Sequence, residues 1–242
     1  GIELDVQLSA DGEVMVFHDA ALERMTGEEG KLGEKTFAEL RTLRLSGTEH
    51  GIPTLREVLA AVSGGMDSMC LLHLLATWGR KHNLWVTAAH FNHRLRGEES
   101  DRDEAFVRNL CDRYDVPLHV GSGTVTAGEK GLEAAARDAR YTFLRSLHGK
   151  IATAHTADDN AETVLMHLVR GTGLKGLGGI TPVHGKVIRP MLSCTRDDVE
   201  AFLEEWNLSY VEDSSNGGDA FLRNRLRHHV MPQLKEENPR LA

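Results

Sequence analysis

Apolar and polar positions alternate with a period of two near the start of the chain. Residues 2–8 show this alternation, and a second apolar run follows at 13–19, so the pattern predicts two short strands. Thr36 followed by Glu39 is typical of a helical capping box. The first part of the chain is therefore predicted to form a β-hairpin followed by a short helix.

From about Val58 the pattern changes to strands that alternate with helices. The predicted strands cover 58–62, 84–90, 117–120 and 150–155, with 187–190 as a fifth strand or an edge hairpin. The predicted helices cover 67–80, 99–114, 132–147, 157–170, 195–206 and 221–233. This alternation predicts an α/β fold, a Rossmann-like parallel sheet with helices on both faces and ligands at the carboxyl ends of its strands.

Composition narrows the class of protein. The 242 residues are 40% apolar and 26% charged, values typical of a globular protein. Neither a membrane-spanning apolar run nor a signal peptide is evident, and we expect a cytoplasmic protein that does not engage a membrane. The three cysteines, without a CxxC spacing, favour reduced thiols over a zinc or disulfide site. Because the chain begins at Gly1, we interpret it as a fragment or a processed chain.

Charge is distributed unevenly. The net charge is −8, and most of it lies in the first sixty residues, so binding of nucleic acid would depend on local basic clusters. The candidates are Arg94, Arg96, Arg223, Arg225 and Arg227. For each of them a solvated surface position is an equally good interpretation.

The first chemical motif is the glycine-rich loop SGGMDS, residues 63–68, between a predicted strand and a predicted helix. Gly64 and Gly65 allow close approach to an anion, and Ser63 and Ser68 can donate hydroxyl groups to phosphate oxygens. A carboxylate at Asp67 suits such a site if it holds Mg²⁺ or orients a polar group. The loop matches neither the Walker A pattern nor GxGxxG.

A second motif is an acidic segment at the predicted end of the fourth strand. His155 is followed by Asp158, Asp159 and Glu162, whose spacing places the carboxylates on one side of a helix. One such carboxylate would be explained by helix capping. Three of them at the ligand edge predict a site for a cationic amine or for Mg²⁺.

These motifs carry two levels of resemblance. SGGMDS resembles the loop of the N-type ATP pyrophosphatases, which split ATP into AMP and pyrophosphate. Together with AAHFNHRLRGEES, EAAARDARYTFL, ATAHTADDNAETVLMHLVRGTGLKGLGGI, VIRPML, EDSSN and RNRLRHHVMP, it makes residues 58–242 resemble the tRNA(Ile)-lysidine synthetases. The resemblance implies an adenine-nucleotide alpha-hydrolase-like fold.

The resemblance also implies substrates and roles. ATP with Mg²⁺ would adenylate the wobble cytidine of a tRNA(Ile) with a CAU anticodon, and L-lysine would displace AMP to give lysidine. Residues 63–68, Met66 included, would hold the nucleotide. Asp159 and Glu162 would grip the lysine, with Asp67, Arg137, His155 and Asp158 as catalytic residues.

The first segment, residues 1–57, resembles an internal piece of the glycerophosphodiester phosphodiesterases. Glu3 and Asp5 match metal-binding carboxylates of that family, and His18 matches one of its histidines. The earlier His-Arg motif would precede Gly1, and a closed barrel needs about 250 residues. We therefore expect no phosphodiesterase activity from a partial TIM-barrel segment.

Three alternatives to lysidine formation stay open. The chain could be a tRNA thiolase, although that chemistry commonly relies on paired cysteines. It could be a catalytically incomplete fragment that binds ATP or tRNA, since the lysidine synthetases usually continue into further tRNA-recognising domains. Metal-dependent hydrolysis by the first segment is the third.

Overall fold

The computed structural model describes residues 6–16, 20–46, 52, 57–79, 81, 84–124, 131–212, 218–219 and 221–238. In the first segment, β1 (Val6–Leu8) and β2 (Val14–Val16) pair antiparallel, and two short helices follow, α1 (Glu23–Thr26) and α2 (Phe37–Leu40). The predicted hairpin is confirmed over its described part. Glu3, Asp5 and His18, the matches to the phosphodiesterases, lie outside the described residues.

The first segment has a small apolar core of its own. Its buried side chains are Met15, Leu22, Leu32, Leu40 and Ile52. The predicted capping box is present, because the Thr36 hydroxyl accepts a hydrogen bond from the Glu39 amide and the Glu39 carboxylate accepts one from the Thr36 amide. Arg41 joins this segment to the sheet, with its guanidinium 3.9 Å from the ring centroid of Trp85 and 3.8 Å from the Glu57 carboxylate.

A six-stranded sheet forms the centre of the remaining chain. Its strands are β3 (Glu57–Ala61), β4 (Trp85–Asn92), β5 (Leu118–Ser122), β6 (Lys150–Ala152), β7 (Val183–His184) and β8 (Val187–Ile188). They lie in the order β5-β4-β3-β6-β8-β7, and every pair is parallel except β7 with β8. The two interpretations of 187–190 are both correct, because β8 extends the parallel sheet and also forms an edge hairpin with β7.

The helices of this part agree with the predicted ranges to within a few residues. They are α3 (Met66–Leu74) with a π-helical turn (Leu75–Gly79), α4 (Glu98–Tyr114), α5 (Leu132–Ser146), α6 (Ala157–Val169), α7 (Arg196–Glu205), α8 (Leu222–Arg225), a second π-helical turn (Leu226–Val230) and α9 (Met231–Glu237). A 3-10 turn, Leu174–Gly178, lies between α6 and β7.

Alternating side chains of β3 divide the core into two layers. Val58 and Ala60 face α3, α4 and α7 on one side of the sheet, whereas Leu59 faces α5 on the other. Tyr141 and Leu144 of α5 cover that second face. The predicted parallel sheet with helices on both faces is confirmed.

Strand β6 is shorter than predicted. It ends at Ala152, whereas the apolar run suggested 150–155. The chain leaves the sheet because Thr156 becomes the N-cap of α6, with extended backbone and a complete capping box. His155 therefore lies in the short loop between strand and helix, at the ligand edge.

The order of the strands creates a switch point between β3 and β6. From β3 the chain proceeds to β4 and β5 on one side, and β6 and β8 lie on the other. Ligands of open α/β sheets bind outside the carboxyl ends of the strands at such a point. The glycine-rich loop follows β3 and the acidic segment follows β6, so the fold places both motifs at one position.

Candidate active site

The loop after β3 is organised around the Ser68 hydroxyl. Its oxygen accepts hydrogen bonds from the amides of Ser63 and Gly64, both at 3.2 Å, and donates to the Gly65 carbonyl at 2.8 Å. Gly64 has φ +100°, which a residue with a side chain rarely adopts. Met66 starts α3, and its side chain is buried in the core, so only its backbone can face a ligand.

The loop is held from outside by the chain that follows α7. The Val211 amide donates to the Gly64 carbonyl at 3.0 Å. A Cβ added to Gly64 would lie 3.6 Å from Val107 of α4 and 3.7 Å from the Val211 side chain. The Gly64 carbonyl is thus occupied by Val211, and the first amides of α3, which have no partner within the helix, form an anion-binding position.

Asp67, in the first turn of α3, is a largely buried carboxylate. Its Oδ1 atom is buried without a hydrogen-bond partner among the described residues. Burial raises the pKa of this carboxyl to about 6, the neighbouring Asp159 and Asp158 raise it further, and Arg196 and Arg227 oppose the shift. Asp67 thus lies close to the carboxylates of α6, and together the four form a carboxylate cluster (Asp67, Asp158, Asp159 and Glu162).

Each carboxylate of α6 has different partners. Asp158 accepts hydrogen bonds from the Arg196 amide and the Lys235 ammonium, both at 2.7 Å. Burial raises the pKa of Asp158, but these bonds outweigh it and the net shift is downward. Asp159 completes the capping box of α6, with its Oδ2 atom 3.0 Å from the Thr156 amide. Capping thus accounts for the Oδ2 atom of Asp159 but not for its Oδ1 atom.

Glu162 is buried, at 1% exposure, and is held by two arginines. Arg223 Nε lies 2.6 Å from its Oε2 atom, and Arg227 contacts it at 2.5 and 3.0 Å. Arg223 also reaches Asp159 Oδ1 at 3.0 Å. A buried carboxylate needs such charged partners because it has lost its hydration.

The arginines of the basic cluster at 223–229 therefore have two different environments, one half-buried against Glu162 and one exposed. Of the two interpretations given to these arginines, a solvated surface position does not hold for Arg223 and Arg227. Their guanidinium groups turn inward onto Glu162, because burial of that carboxylate demands compensation. Arg225 is exposed, and its side chain donates to the Asp219 carbonyl.

His155 lies beside this cluster and is half-buried. Its Nδ1 atom lies 2.9 Å from the Thr153 hydroxyl. Burial lowers the pKa of the imidazole to about 4; Asp159 opposes the shift, and Arg189, Arg137 and Arg223 add to it. The ring is therefore neutral at physiological pH.

Residues after β4 have mainly structural contacts. His90 Nδ1 lies 2.9 Å from the Val62 carbonyl, just before the glycine-rich loop, and burial lowers the pKa of the ring. Arg96 pairs with Asp103 at 2.7 Å, whereas Arg94 is exposed and reaches the Ser122 hydroxyl at 3.4 Å. Arg94 is thus better placed than Arg96 for an added ligand.

Several residues at this edge had not been singled out from the sequence: Lys235, Arg189, Arg196 and Val211. Arg196 begins α7, Lys235 lies in α9, and Arg189 and Val211 follow β8 and α7, so all four are distant in the chain from the PP-loop motif. Their partners come from segments that meet only on folding: Arg196 and Lys235 bond to Asp158 of α6, and Val211 bonds to Gly64.

The family of this chain follows from comparison with known proteins. A model of the PP-loop domain matches residues 37–234. The chain belongs to the PP-loop domain family. The SGGMDS loop is therefore a PP-loop, and the predicted ATP-pyrophosphatase type of fold is confirmed.

Curated relatives share a single description. The tRNA(Ile)-lysidine synthase of Parabacteroides distasonis is 44% identical over 193 residues, which cover 76% of this chain and 43% of the relative. That of Bacillus subtilis is 44% identical over 196 residues, covering 75% and 41%. The resemblance to this family is confirmed, and the chain spans less than half the length of these two relatives.

A solved structure supports the fold. The U34-tRNA thiolase NcsA from Methanococcus maripaludis, with its [4Fe-4S] cluster, has a TM-score of 0.60 and 20% sequence identity, covering 76% of this chain and 68% of that chain. At this identity the likeness concerns the fold. In the part of the PP-loop chain that the structure describes, no helix is long and apolar enough to cross a membrane.

Proposed function

We propose that this chain carries the catalytic domain of a tRNA(Ile)-lysidine synthase. ATP adenylates the wobble cytidine of tRNA(Ile), and the ε-amine of L-lysine displaces AMP to form lysidine. The observation that carries the proposal is the position of the PP-loop next to the carboxylate cluster at the switch point of the sheet. One half of this site suits a triphosphate, and the other suits an amine.

The nucleotide half comprises residues 63–68. The first amides of α3, the loop amides and the hydroxyls of Ser63 and Ser68 bind phosphate oxygens, while Gly64 and Gly65 leave room for them. The cytidine 2-carbonyl oxygen attacks the α-phosphorus, and the bond to pyrophosphate breaks. Arg137 lies near His155 and assists by binding the phosphate charge.

Asp67 fits a magnesium ligand. Its buried, unpartnered oxygen beside a phosphate loop matches the preference of Mg²⁺ for one or two carboxylates together with phosphate oxygens. Bound there, the ion would neutralise charge on the triphosphate. In its absence the carboxylate is costly to ionise, consistent with a raised pKa.

The carboxylate cluster with its arginines suits a zwitterion. Free lysine carries a carboxylate and two amines, so a pocket of opposed charges can bind both ends. In our proposal Asp159 and Glu162 bind an ammonium group, and Arg223 faces the substrate carboxylate after exchanging one of its present contacts. Neutral His155 accepts or donates a hydrogen bond at the reacting groups, and Asp158 orients α6 through Lys235.

The domain division is also part of the proposal. Residues 58–242 form the catalytic domain, and residues 1–57 are a separate segment without a catalytic role. The separate apolar core of the first segment supports this division. Glu3→Gln should then leave AMP release unchanged, and a loss of AMP release in that variant would contradict it.

The direct test combines the purified chain with ATP, Mg²⁺, radiolabelled lysine and tRNA(Ile) with a CAU anticodon. We expect label in the tRNA and one AMP released per lysine incorporated. A tRNA whose anticodon lacks the wobble cytidine is the matched control. ATP binding without incorporation would instead support a catalytically incomplete fragment that needs the remainder of a longer protein.

A further inference from the structure

A row of arginines lies at the same edge of the sheet and takes no part in the carboxylate cluster. Arg137 and Arg140 belong to α5, and Arg189 follows β8. Among the side chains that the structure describes, no carboxylate lies within ion-pair distance of these three. We call them the basic row (Arg137, Arg140 and Arg189).

The basic row contrasts with other arginines of the chain. Arg96 and Arg108 pair with carboxylates of α4 at 2.7 and 2.8 Å, and Arg223 pairs with Glu162. Those guanidinium groups are neutralised within the protein. The basic row has no such compensation, although Arg140 and Arg189 are partly buried.

Packing holds the basic row in place. The guanidinium groups of Arg137 and Arg140 lie 5.1 and 5.6 Å from the ring centroid of Tyr141, which is buried against β8 at Val187. Arg189 donates to the Thr181 carbonyl, and its Nε atom is buried without a partner in the described part of the chain. Arg140 and Arg189 are thus held in place by packing, and both guanidinium groups retain unused donors.

The row extends along the strand ends. Arg140 lowers the pKa of His93, which follows β4, after the larger effect of burial. Arg189 follows β8, and the strands between them are β3 and β6. Because neighbouring strands are about 4.8 Å apart, the three spacings from β4 to β8 cover about 14 Å of the edge. That length suits an extended chain of phosphates better than one phosphate group.

The row is also separated from the PP-loop. α5 covers the sheet face opposite α3, and Arg189 follows a strand two positions from β3. A triphosphate seated on residues 63–68 therefore leaves the far ends of the row, Arg140 and Arg189, to another anion.

We propose that Arg140 and Arg189 bind the phosphodiester backbone of the RNA substrate, at a subsite separate from the ATP phosphates. This inference rests on the proposed function, because it takes the substrate to be an RNA. Arginine is suited to the task, since its fork of donors matches phosphate oxygens. The subsite would orient the anticodon strand so that its wobble base reaches the switch point.

The test measures the affinity of the 242-residue chain for a fluorescent anticodon stem-loop of tRNA(Ile) between about 50 and 200 mM salt. Arg140→Met and Arg189→Met should each weaken binding about 5- to 10-fold and reduce the slope of log Kd against log salt by about 1. The Kd for ATP should stay within about twofold. Arg108→Met removes the same charge from a paired arginine and should leave RNA affinity unchanged.

Two further measurements keep the outcomes distinct. Arg189→Lys retains the charge and should retain the salt slope, and thermal unfolding shows whether each variant is folded. Unchanged slopes in both methionine variants, with RNA still bound by the parent chain, overturn the subsite but not the proposed function. A loss of ATP affinity with unchanged RNA affinity assigns the row to the nucleotide instead. A stem-loop that fails to bind the parent chain overturns the subsite, and lysine incorporation into full-length tRNA(Ile) then tests the proposed function separately.

Discussion

Replacing Asp67 with asparagine tests two properties of the PP-loop carboxylate. One is its role in AMP release, and the other is the free energy by which its ionisation destabilises the folded state. The folded-state pKa is raised to about 6 from an ordinary value of 3.8, mainly by burial. A raised carboxyl pKa means that ionisation destabilises the folded state, so the penalty appears as pH rises through this window. At neutral pH a shift of about two units corresponds to about 3 kcal/mol.

Asp67→Asn should therefore raise stability while it abolishes AMP release. At pH 7.5 we expect unfolding to become up to about 3 kcal/mol less favourable, or a Tm several degrees higher for a chain of this size. At pH 4.5 the folded carboxyl is largely protonated, and the gain should shrink to about 1 kcal/mol.

The assay is thermal unfolding of both proteins at the two pH values, paired with AMP release in the presence of ATP, Mg²⁺, lysine and tRNA. Asp138→Asn, an exposed carboxylate of α5, is the matched control and should shift neither quantity appreciably. A stability difference that is independent of pH would refute the assignment of the penalty to Asp67 ionisation. A variant that still releases AMP would refute its role in the nucleotide half.

Three other substitutions test separate contacts. Glu162→Gln leaves two guanidinium groups without their buried carboxylate, and urea unfolding should show a loss of about 3 kcal/mol together with loss of lysine incorporation. Val211→Pro removes the amide that bonds to the Gly64 carbonyl and should raise the KM for ATP about 10-fold. Val211→Ala keeps the amide and should leave the KM unchanged. Equal KM values for the two variants would exclude a positioning role for this amide. Gly121→Ala brings a Cβ to 2.7 Å from a phenyl ring of α5 and should cost about 1–3 kcal/mol in chemical denaturation. Gly173→Ala, with nothing within 4 Å, serves as its control, and equal losses would contradict the packing of α5 on β5.

Local periodicity was sufficient for the elements of the fold. Most strand and helix ranges and the capping box at Thr36 depend on contacts a few residues apart. The apolar segment Glu57–Ala61 also suits a helix by its local pattern alone. It forms a strand, since β4 and β6 pair with it on both sides. Pairing between strands stabilised one of two conformations that the local pattern allowed.

The same distinction between local pattern and tertiary packing applies to the candidate site. Residue types and spacing were enough to place the PP-loop and the acidic segment at the ligand edge, because parallel strands bring their carboxyl ends together. The partners of these groups follow from packing. Glu162 meets Arg223, 61 residues away, only when α8 and the turn after it fold against α6. The charge of Arg189 stays uncompensated because no described carboxylate packs beside it. Sequence patterns report neighbours within a few residues, whereas burial and charge compensation arise between segments that meet on folding.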